Sequence, residues 1–298
     1  MLWVCYGAGM ETSLDAQLKA FERVALRLGR AINERPLSKR LQYRFIRGLA
    51  YNWMRPFMSR RTYVDNVDWL ISPPSDRGVL FACNHRSFFD SYLFLFSLYS
   101  SGAAWPRKLY FPVRSDFFYD QPLGVLVNLA MGGGCMYPPI YRDREKRSLN
   151  DDALQRIVEV LKAPNSLVGL HPEGTRNKGD PYTLLRAQPG IGNIVLHAKP
   201  LVVPVFVNGV GNDFLGALRT SFQEGAKRNS PIIVSFGQPV DYQEFLESKP
   251  RAALYKKCAD KINHAISECG QRERELRAAI TQGEIGDDDP HWLWHKGV

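Results

Sequence analysis

The sequence predicts an α/β protein: a single mixed, largely parallel sheet flanked by helices, preceded by an amphipathic helical hairpin. Three observations predict it. From residue 78 onward short apolar runs alternate with helical stretches, the pattern of strands joined by crossovers. Ahead of that point, residues 14–28 and 37–58 carry apolar side chains at helical spacing. Two polar loops containing histidine also follow apolar runs, at the strand ends where ligands collect in such sheets.

The amino-terminal stretch divides into two expected helices. In the second, Leu37, Leu41, Phe45, Leu49, Trp53 and Phe57 recur every fourth residue, which winds an apolar stripe slowly around a helix, and Pro56 is expected to kink or end it. Residues 36–64 contain no Asp or Glu but include Lys39, Arg40, Arg44, Arg47, Arg55, Arg60 and Arg61. A basic, aromatic-bearing amphipathic helix has the composition of a membrane-surface element. Packing of the stripe on the main domain, with the basic face in water, is the alternative.

Beyond residue 78 the expected strands are 79–83, 109–113, 136–141, 167–170, 201–207 and 232–236. The expected helices are 88–101, 123–131, 150–162, 191–198 and a long closing helix, 251–280. This suggests a docking segment over residues 1–65, an α/β domain over 66–285 and a tail over 286–298. The tail combines acidic residues with Trp292 and Trp294, which either anchor at a bilayer interface or fold back on the core. The chain shows no internal repeat. Its 298 residues suffice for one large domain or two smaller ones.

Bulk properties narrow the partners. A formal charge of +9 points to an acidic partner, whether nucleic acid, anionic membrane or phosphorylated substrate. Cys5, Cys83, Cys135, Cys258 and Cys269 form no C-x-x-C pair, which disfavours a disulfide framework or structural zinc and suits a reducing compartment. The longest charge-free stretch, 121–141, is interrupted by seven Gly and Pro residues, so it is not a spanning helix; lining of a substrate tunnel and ordinary core packing both fit it. Residues 1–10 are apolar but lack a basic n-region, which argues against a secretory signal. Any membrane is expected to be met from one side.

The chemistry concentrates in two segments. In Asn84-His85-Arg86-Ser87-Phe88-Phe89-Asp90 a strand runs into a polar loop and then a helix, with Ser87 and Asp90 spaced as a capping box. Asp90 can lean back on the His85 imidazole, fixing its tautomer and raising the basicity of its far nitrogen. A histidine so placed can accept a hydroxyl proton, help typically worth ~10²–10⁴ in rate. A plain helix cap beside a plain loop histidine would carry the same letters. The second segment, His171-Pro172-Glu173-Gly174-Thr175-Arg176, offers a tight turn and a planar guanidinium suited to phosphate. Glu173 can orient an acceptor or brace a neighbour.

Asn84, His85 and Asp90, followed by Pro172 to Arg176, resemble the motifs of the glycerolipid acyltransferase family, whose best-known members are the 1-acylglycerol-3-phosphate acyltransferases. The resemblance spans residues 79–207, and the amino-terminal helices are similar to the membrane-docking hairpin of some members. It implies that His85 and Asp90 are catalytic and that Glu173, Gly174, Thr175 and Arg176 bind the glycerol-phosphate acceptor. A further phosphate-contacting arginine would be Arg142 or Arg144, the letter pattern favouring Arg144. Val203 and Pro204 match an apolar motif near the acyl pocket. His171 departs from the family, which usually has phenylalanine there.

The resemblance implies transfer of a fatty acyl group from acyl-CoA or acyl carrier protein to the free hydroxyl of lysophosphatidate. The mechanism would use His85 as general base, with no acyl-enzyme and no metal or other cofactor. Glycerol-3-phosphate, other lysophospholipids and amino-acid lipids are the alternative acceptors. The expected partners are an anionic membrane surface, the lysophospholipid and the acyl carrier. The expected location is peripheral, on the cytoplasmic face of a membrane. Two other classes compete. A metal hydrolase would use His85, Asp90, His171 and Glu173 as ligands, though no helical His-x3-His pairing supports it. A nucleic-acid-binding module would use the positive charge, but no such motif is present, so no nucleic-acid partner is expected.

Overall fold

A computed structural model describes residues 18–73, 76–249 and 251–295, apart from the side chains of Met54, Phe57, Met58, Arg144, Arg147 and Phe214. Residues 1–10, and the expected helix start at 14–17, lie outside the described residues.

Three helical segments open the described chain: α1 (Ala20–Glu34), α2 (Pro36–Arg44) and, after a π-helical stretch at Phe45–Ala50, α3 (Tyr51–Met58). Pro36 at the first position of α2 lacks only an N–H that would have had no helical partner. Pro56 neither ends α3 nor replaces the π turn; it sits inside the helix, which continues to Met58.

The sheet then takes β1 (Thr62–Asp65), β2 (Val79–Cys83), β3 (Lys108–Tyr110), β6 (Ser166–Leu170), β7 (Leu201–Asn208) and β8 (Ile232–Phe236), in spatial order β1-β8-β7-β2-β6-β3. All neighbouring pairs are parallel except β7–β8. A separate parallel pair joins β4 (Val113–Arg114) to β5 (Pro139–Ile140). The expected strands 109–113 and 136–141 are thus much shorter and do not form single central strands. Residues 62–65, placed ahead of the α/β domain by the sequence, form one strand of its sheet.

Helices cover both faces. One face packs on α4 (Asp90–Ser100), every residue of which is buried. An apolar helix without a polar side is what full enclosure requires. Two minor helices, α5 (Ser115–Phe118) and α6 (Pro122–Gly132), follow. The other face packs on α7 (Arg147–Leu161), α8 (Pro189–Ala198) and, after the short α9 (Phe214–Ser221) and α10 (Ala226–Asn229), on α11 (Ala252–Gln282). Helices α8 and α11 approach so closely that a Cβ at Gly192 would fall 2.0 Å from the Tyr255 carbonyl oxygen.

The tail returns to the core. Trp292 is fully buried, its backbone bridges Tyr63, and the Leu293 N–H donates to the Thr62 carbonyl at 2.7 Å. This covers the outer edge of β1, which would otherwise expose unpaired backbone groups. Trp292 is therefore a core residue, while Trp294 stays accessible beside the Arg60 guanidinium.

Of the stripe on the second helical stretch, Phe45 packs against the core while four other members stay open. Leu37, Leu41, Leu49 and Trp53 are 68%, 56%, 61% and 41% exposed, and α6, packed beside the π segment, leaves Leu123 and Leu126 open as well. The basic residues divide. Arg40, Arg44 and Arg60 are exposed, whereas Lys39 and Arg61 are buried and bound inside the protein. Lys39 Nζ donates to Asn33 Oδ1 at 2.6 Å and to the Leu109 carbonyl at 2.5 Å, over the Tyr110 ring. Burial without a carboxylate pushes the Lys39 ammonium well below its ordinary value. Arg61 ties Ser221 to the Gly209 and Ser230 carbonyls. The expectation of an entirely outward basic face is corrected on these two residues. A polar pin between the helical segment and β3 needs a long donor, and Lys39 supplies it.

Candidate active site

The site forms because β2 and β6 are parallel neighbours, with Ala82 paired to Leu170. Both chains leave the sheet at the same end, so His85 and His171, distant in sequence, emerge side by side. On the other flank of β2, Asn84 prolongs the ladder with its side chain. Its Oδ1 accepts the Val207 N–H at 2.8 Å and its Nδ2 donates to the Val207 carbonyl at 2.9 Å.

Asp90 is fully buried and gathers the loop around its carboxylate. Oδ2 accepts His85 Nδ1 at 3.0 Å, the Arg86 N–H at 2.8 Å and the Ser87 N–H at 2.9 Å; Oδ1 accepts Ser87 Oγ at 2.6 Å. The Ser87 hydroxyl in turn accepts the Phe89 N–H. The expected capping interplay is present, although α4 itself begins at Asp90. With its Nδ1 proton held by a carboxylate, His85 carries its lone pair on Nε2, as a general base requires.

The second loop locks onto the first. Glu173 is buried, with Oε1 accepting the His85 N–H at 2.8 Å and Oε2 accepting the Leu185 N–H at 2.9 Å. Burial, partly offset by those two bonds, raises its carboxyl above the ordinary value. Of the two roles open to Glu173 from sequence, its bonds are those of a brace. Gly174 makes the turn at φ +65°, where a side chain would be strained. Thr175 is half-buried and Arg176 exposed, the latter donating to Asn212 Oδ1 at 2.9 Å.

Several residues in this network were not singled out from sequence. Arg86 donates to the Asn177 and Gly179 carbonyls at 2.9 and 2.7 Å, and the Asn177 N–H donates to the His85 carbonyl at 2.8 Å. Asn212 Oδ1 also accepts the Phe88 N–H at 3.1 Å, joining the first loop, Arg176 and the turn after β7. Arg86 lay inside the first motif as an unassigned letter. Asn212 carried no signal, since only the fold brings it near.

Other expected site residues stand apart. Arg142 is exposed just past β5, outside the hydrogen-bond network of His85, Asp90 and Glu173, and the Arg144 side chain lies outside the described residues. Val203 and Pro204 cannot line one pocket together, because adjacent strand residues face opposite sides of a sheet. Val203 is closed into the core on the α4 side, while Pro204 borders a groove with Gly237 and Cys269 beside α11.

His171, where the family usually has phenylalanine, is hydrogen-bonded at both ring nitrogens. Its ring stacks on His85 with centroids 4.0 Å apart and planes 11° apart. Nδ1 lies 3.0 and 2.9 Å from the Cys83 and Asn84 carbonyls, and Nε2 lies 3.3 Å from Ser91 Oγ. Burial and the His85 ring push its pKa down to about 4. His85, Asp90 and His171 hold ligand-type atoms within 4.8 Å of one another. They make a poor cation site, since the in-plane lone pairs of stacked rings run side by side and do not converge, and His171 Nδ1 is taken by two acceptors.

A carboxylate-aligned histidine at a strand end, locked to a loop bearing an exposed arginine, is an arrangement able to activate a hydroxyl. Residues 64–208 match the family described as Acyltransferase, a span that holds both motifs. Residues 64–208 thus form an acyltransferase domain of the glycerolipid acyltransferase kind, and the activity it supports is O-acyl transfer. Among solved structures, the 1-acyl-sn-glycerophosphate (LPA) acyltransferase PlsC from Thermotoga maritima aligns at 16% identity over 89% of this chain and 88% of that one, with a TM-score of 0.43, an overlap too loose to carry an assignment. No curated protein matches the chain in sequence.

Proposed function

We propose that this protein moves a fatty acyl group from acyl-CoA or acyl carrier protein to the free hydroxyl of lysophosphatidate, without an acyl-enzyme. The observation that carries the reading is the His85 Nδ1–Asp90 Oδ2 bond of 3.0 Å, which leaves Nε2 as the free basic atom. Nε2 takes the proton of the acceptor hydroxyl as its oxygen bonds to the thioester carbonyl carbon. The tetrahedral adduct collapses, the C–S bond breaks, and the thiolate leaves and takes the proton from His85. Arg176 is the residue for the acceptor phosphate, as a planar donor fork on the adjoining loop. Cys83 is a poor nucleophile here, because burial holds its thiol well above its ordinary value. No metal or other cofactor is required.

The acceptor would be met at a membrane surface, from the cytoplasmic side. The open apolar side chains of the helical segment and the exposed Arg40 and Arg44 support that reading. Among the described residues no helix is long and apolar enough to cross a membrane. Free, buried Cys83, Cys135, Cys258 and Cys269 suit a reducing compartment.

The deciding experiment offers the purified protein lysophosphatidate, other lysophospholipids and glycerol-3-phosphate, each with labelled acyl-CoA and with acyl carrier protein, with and without a chelator. Transfer is expected to lysophosphatidate, undiminished by the chelator. Preference for another acceptor would move the reading to that lipid with the same chemistry, and loss of activity on chelation would overturn it.

A further inference from the structure

His171 occupies a position that the transfer chemistry just described does not use. The Cys83 and Asn84 carbonyls can only accept, so the His171 proton resides on Nδ1. Nε2 is then the acceptor for the Ser91 hydroxyl. Every in-plane site of the ring is engaged, and its face is left for His85.

That arrangement acts on the base in two ways. A single bond to Asp90 fixes one edge of the His85 ring but leaves it free to tilt about that bond. A flat surface 4.0 Å away, itself held at both nitrogens, removes the tilt. In addition, the face of an uncharged π ring attracts a cation, and His85 becomes a cation when it takes the acceptor proton.

We propose that His171 is a positioning residue for acyl transfer: pinned by the Cys83 and Asn84 carbonyls and the Ser91 hydroxyl, it sets the plane of His85 and steadies the imidazolium formed there. The proposal rests on His85 being the general base. The ionisable groups facing the pair are Asp90, Glu173 and the Cys83 thiol. Asp90 favours protonation of His171, but burial and the neighbouring His85 outweigh it and hold the pKa at about 4. The transferred proton therefore stays on His85 and passes to the leaving thiolate.

The test compares the full-length protein with His171→Phe and His171→Ala, combining imidazole NMR titration with steady-state kinetics across pH. Phenylalanine keeps a ring against His85 but makes none of the three hydrogen bonds; alanine removes both. The expected loss of kcat is several-fold for the first and up to about 100-fold for the second, since small misplacements of a reacting group can cost that much. KM for the acceptor should hold within about twofold, because the interaction serves the transition state. In His171→Ala the His85 imidazolium loses its support, so the acid limb of kcat/KM moves to lower pH. The wild-type spectrum should show His171 as the Nδ1–H tautomer, uncharged at neutral pH and protonating only towards about pH 4.

Wild-type kcat and an unmoved His85 titration in His171→Ala would overturn the proposal. So would a loss of kcat with the His85 titration unmoved, which marks a merely structural role, or a wild-type His171 titrating at its ordinary value. If the alanine variant does not fold, the phenylalanine variant and the wild-type spectrum decide. The NMR titration needs no substrate, so it stands even if lysophosphatidate proves not to be the acceptor.

Discussion

The carboxylate of Glu173 accepts the backbone N–H of His85 at 2.8 Å, so the second motif holds the first by its main chain. Its other oxygen accepts the Leu185 N–H at 2.9 Å, so both carboxylate oxygens brace main chain.

Glu173→Gln should therefore act through the His85 loop. The amide offers one oxygen where two N–H groups need acceptors, and a buried unpaired N–H costs about 1–3 kcal/mol. We expect kcat to fall by about tenfold or more with the acceptor KM little changed. Stability should respond to pH with a defined sign. The folded-state carboxyl is raised, so the folded protein binds this proton more readily than the unfolded chain, and stability falls as pH climbs from the ordinary value of 4.5 through the raised one. Urea titrations at several pH values should show that fall in the wild type and its absence in the variant.

Asp90→Asn should cost both rate and stability. Three donors converge on Oδ2, and an amide nitrogen there would face donors with a donor. Activity is expected to drop by about 10²–10⁴ and stability by about 1–3 kcal/mol. His85→Ala should lose activity to a similar extent while melting close to wild type. A His85→Ala variant retaining transfer would remove the general base.

His171 adds an acid-side dependence. Its folded pKa of about 4 lies below the ordinary 6.5, so the unfolded chain takes this proton first. Its contribution is complete above 6.5 and is lost as pH falls towards about 4, a span worth on the order of 3 kcal/mol. His171→Phe should lack this slope, which denaturation midpoints measured at neutral and mildly acid pH would reveal.

Binding to anionic vesicles should depend on the open helical face. Replacing Leu37, Leu41, Leu49 and Trp53 with serine removes side chains each worth about 1.5–3 kcal/mol when fully buried, and cosedimentation should be lost. Arg40→Gln and Arg44→Gln should weaken binding by about 1 kcal/mol each and flatten its salt dependence. Lys39→Ala should instead lower the melting temperature, since Lys39 bonds only inside the protein. Vesicle binding unchanged in the serine variants would refute the docking surface.

Much of the fold was legible because alternation and helical spacing are local properties. Strands β2, β7 and β8 and helices α4, α8 and α11 fall within a few residues of their expected bounds. Strand β1 was missed because Thr62–Asp65 reads as the end of a basic helical stretch, and only its partner β8 makes it a strand. For Trp292 the sequence left interface anchoring and return to the core equally open, because a tail has no visible context until it meets Tyr63. Lys39 and Arg61 looked like members of a cationic face, since composition cannot say which way a side chain turns.

The sequence by itself determined the class of chemistry. A histidine and a carboxylate five residues apart at a strand-to-helix turn can meet through local geometry alone, and they do. What only the tertiary structure decided lies between segments 36 to 88 residues apart. The stacking of His171 on His85, the grip of Glu173 on the His85 amide and the link from Arg176 to Asn212 all follow from the order of β6, β2 and β7 and the register of β2 against β6. Such register is set by core packing across the whole sheet, which no single stretch of chain encodes.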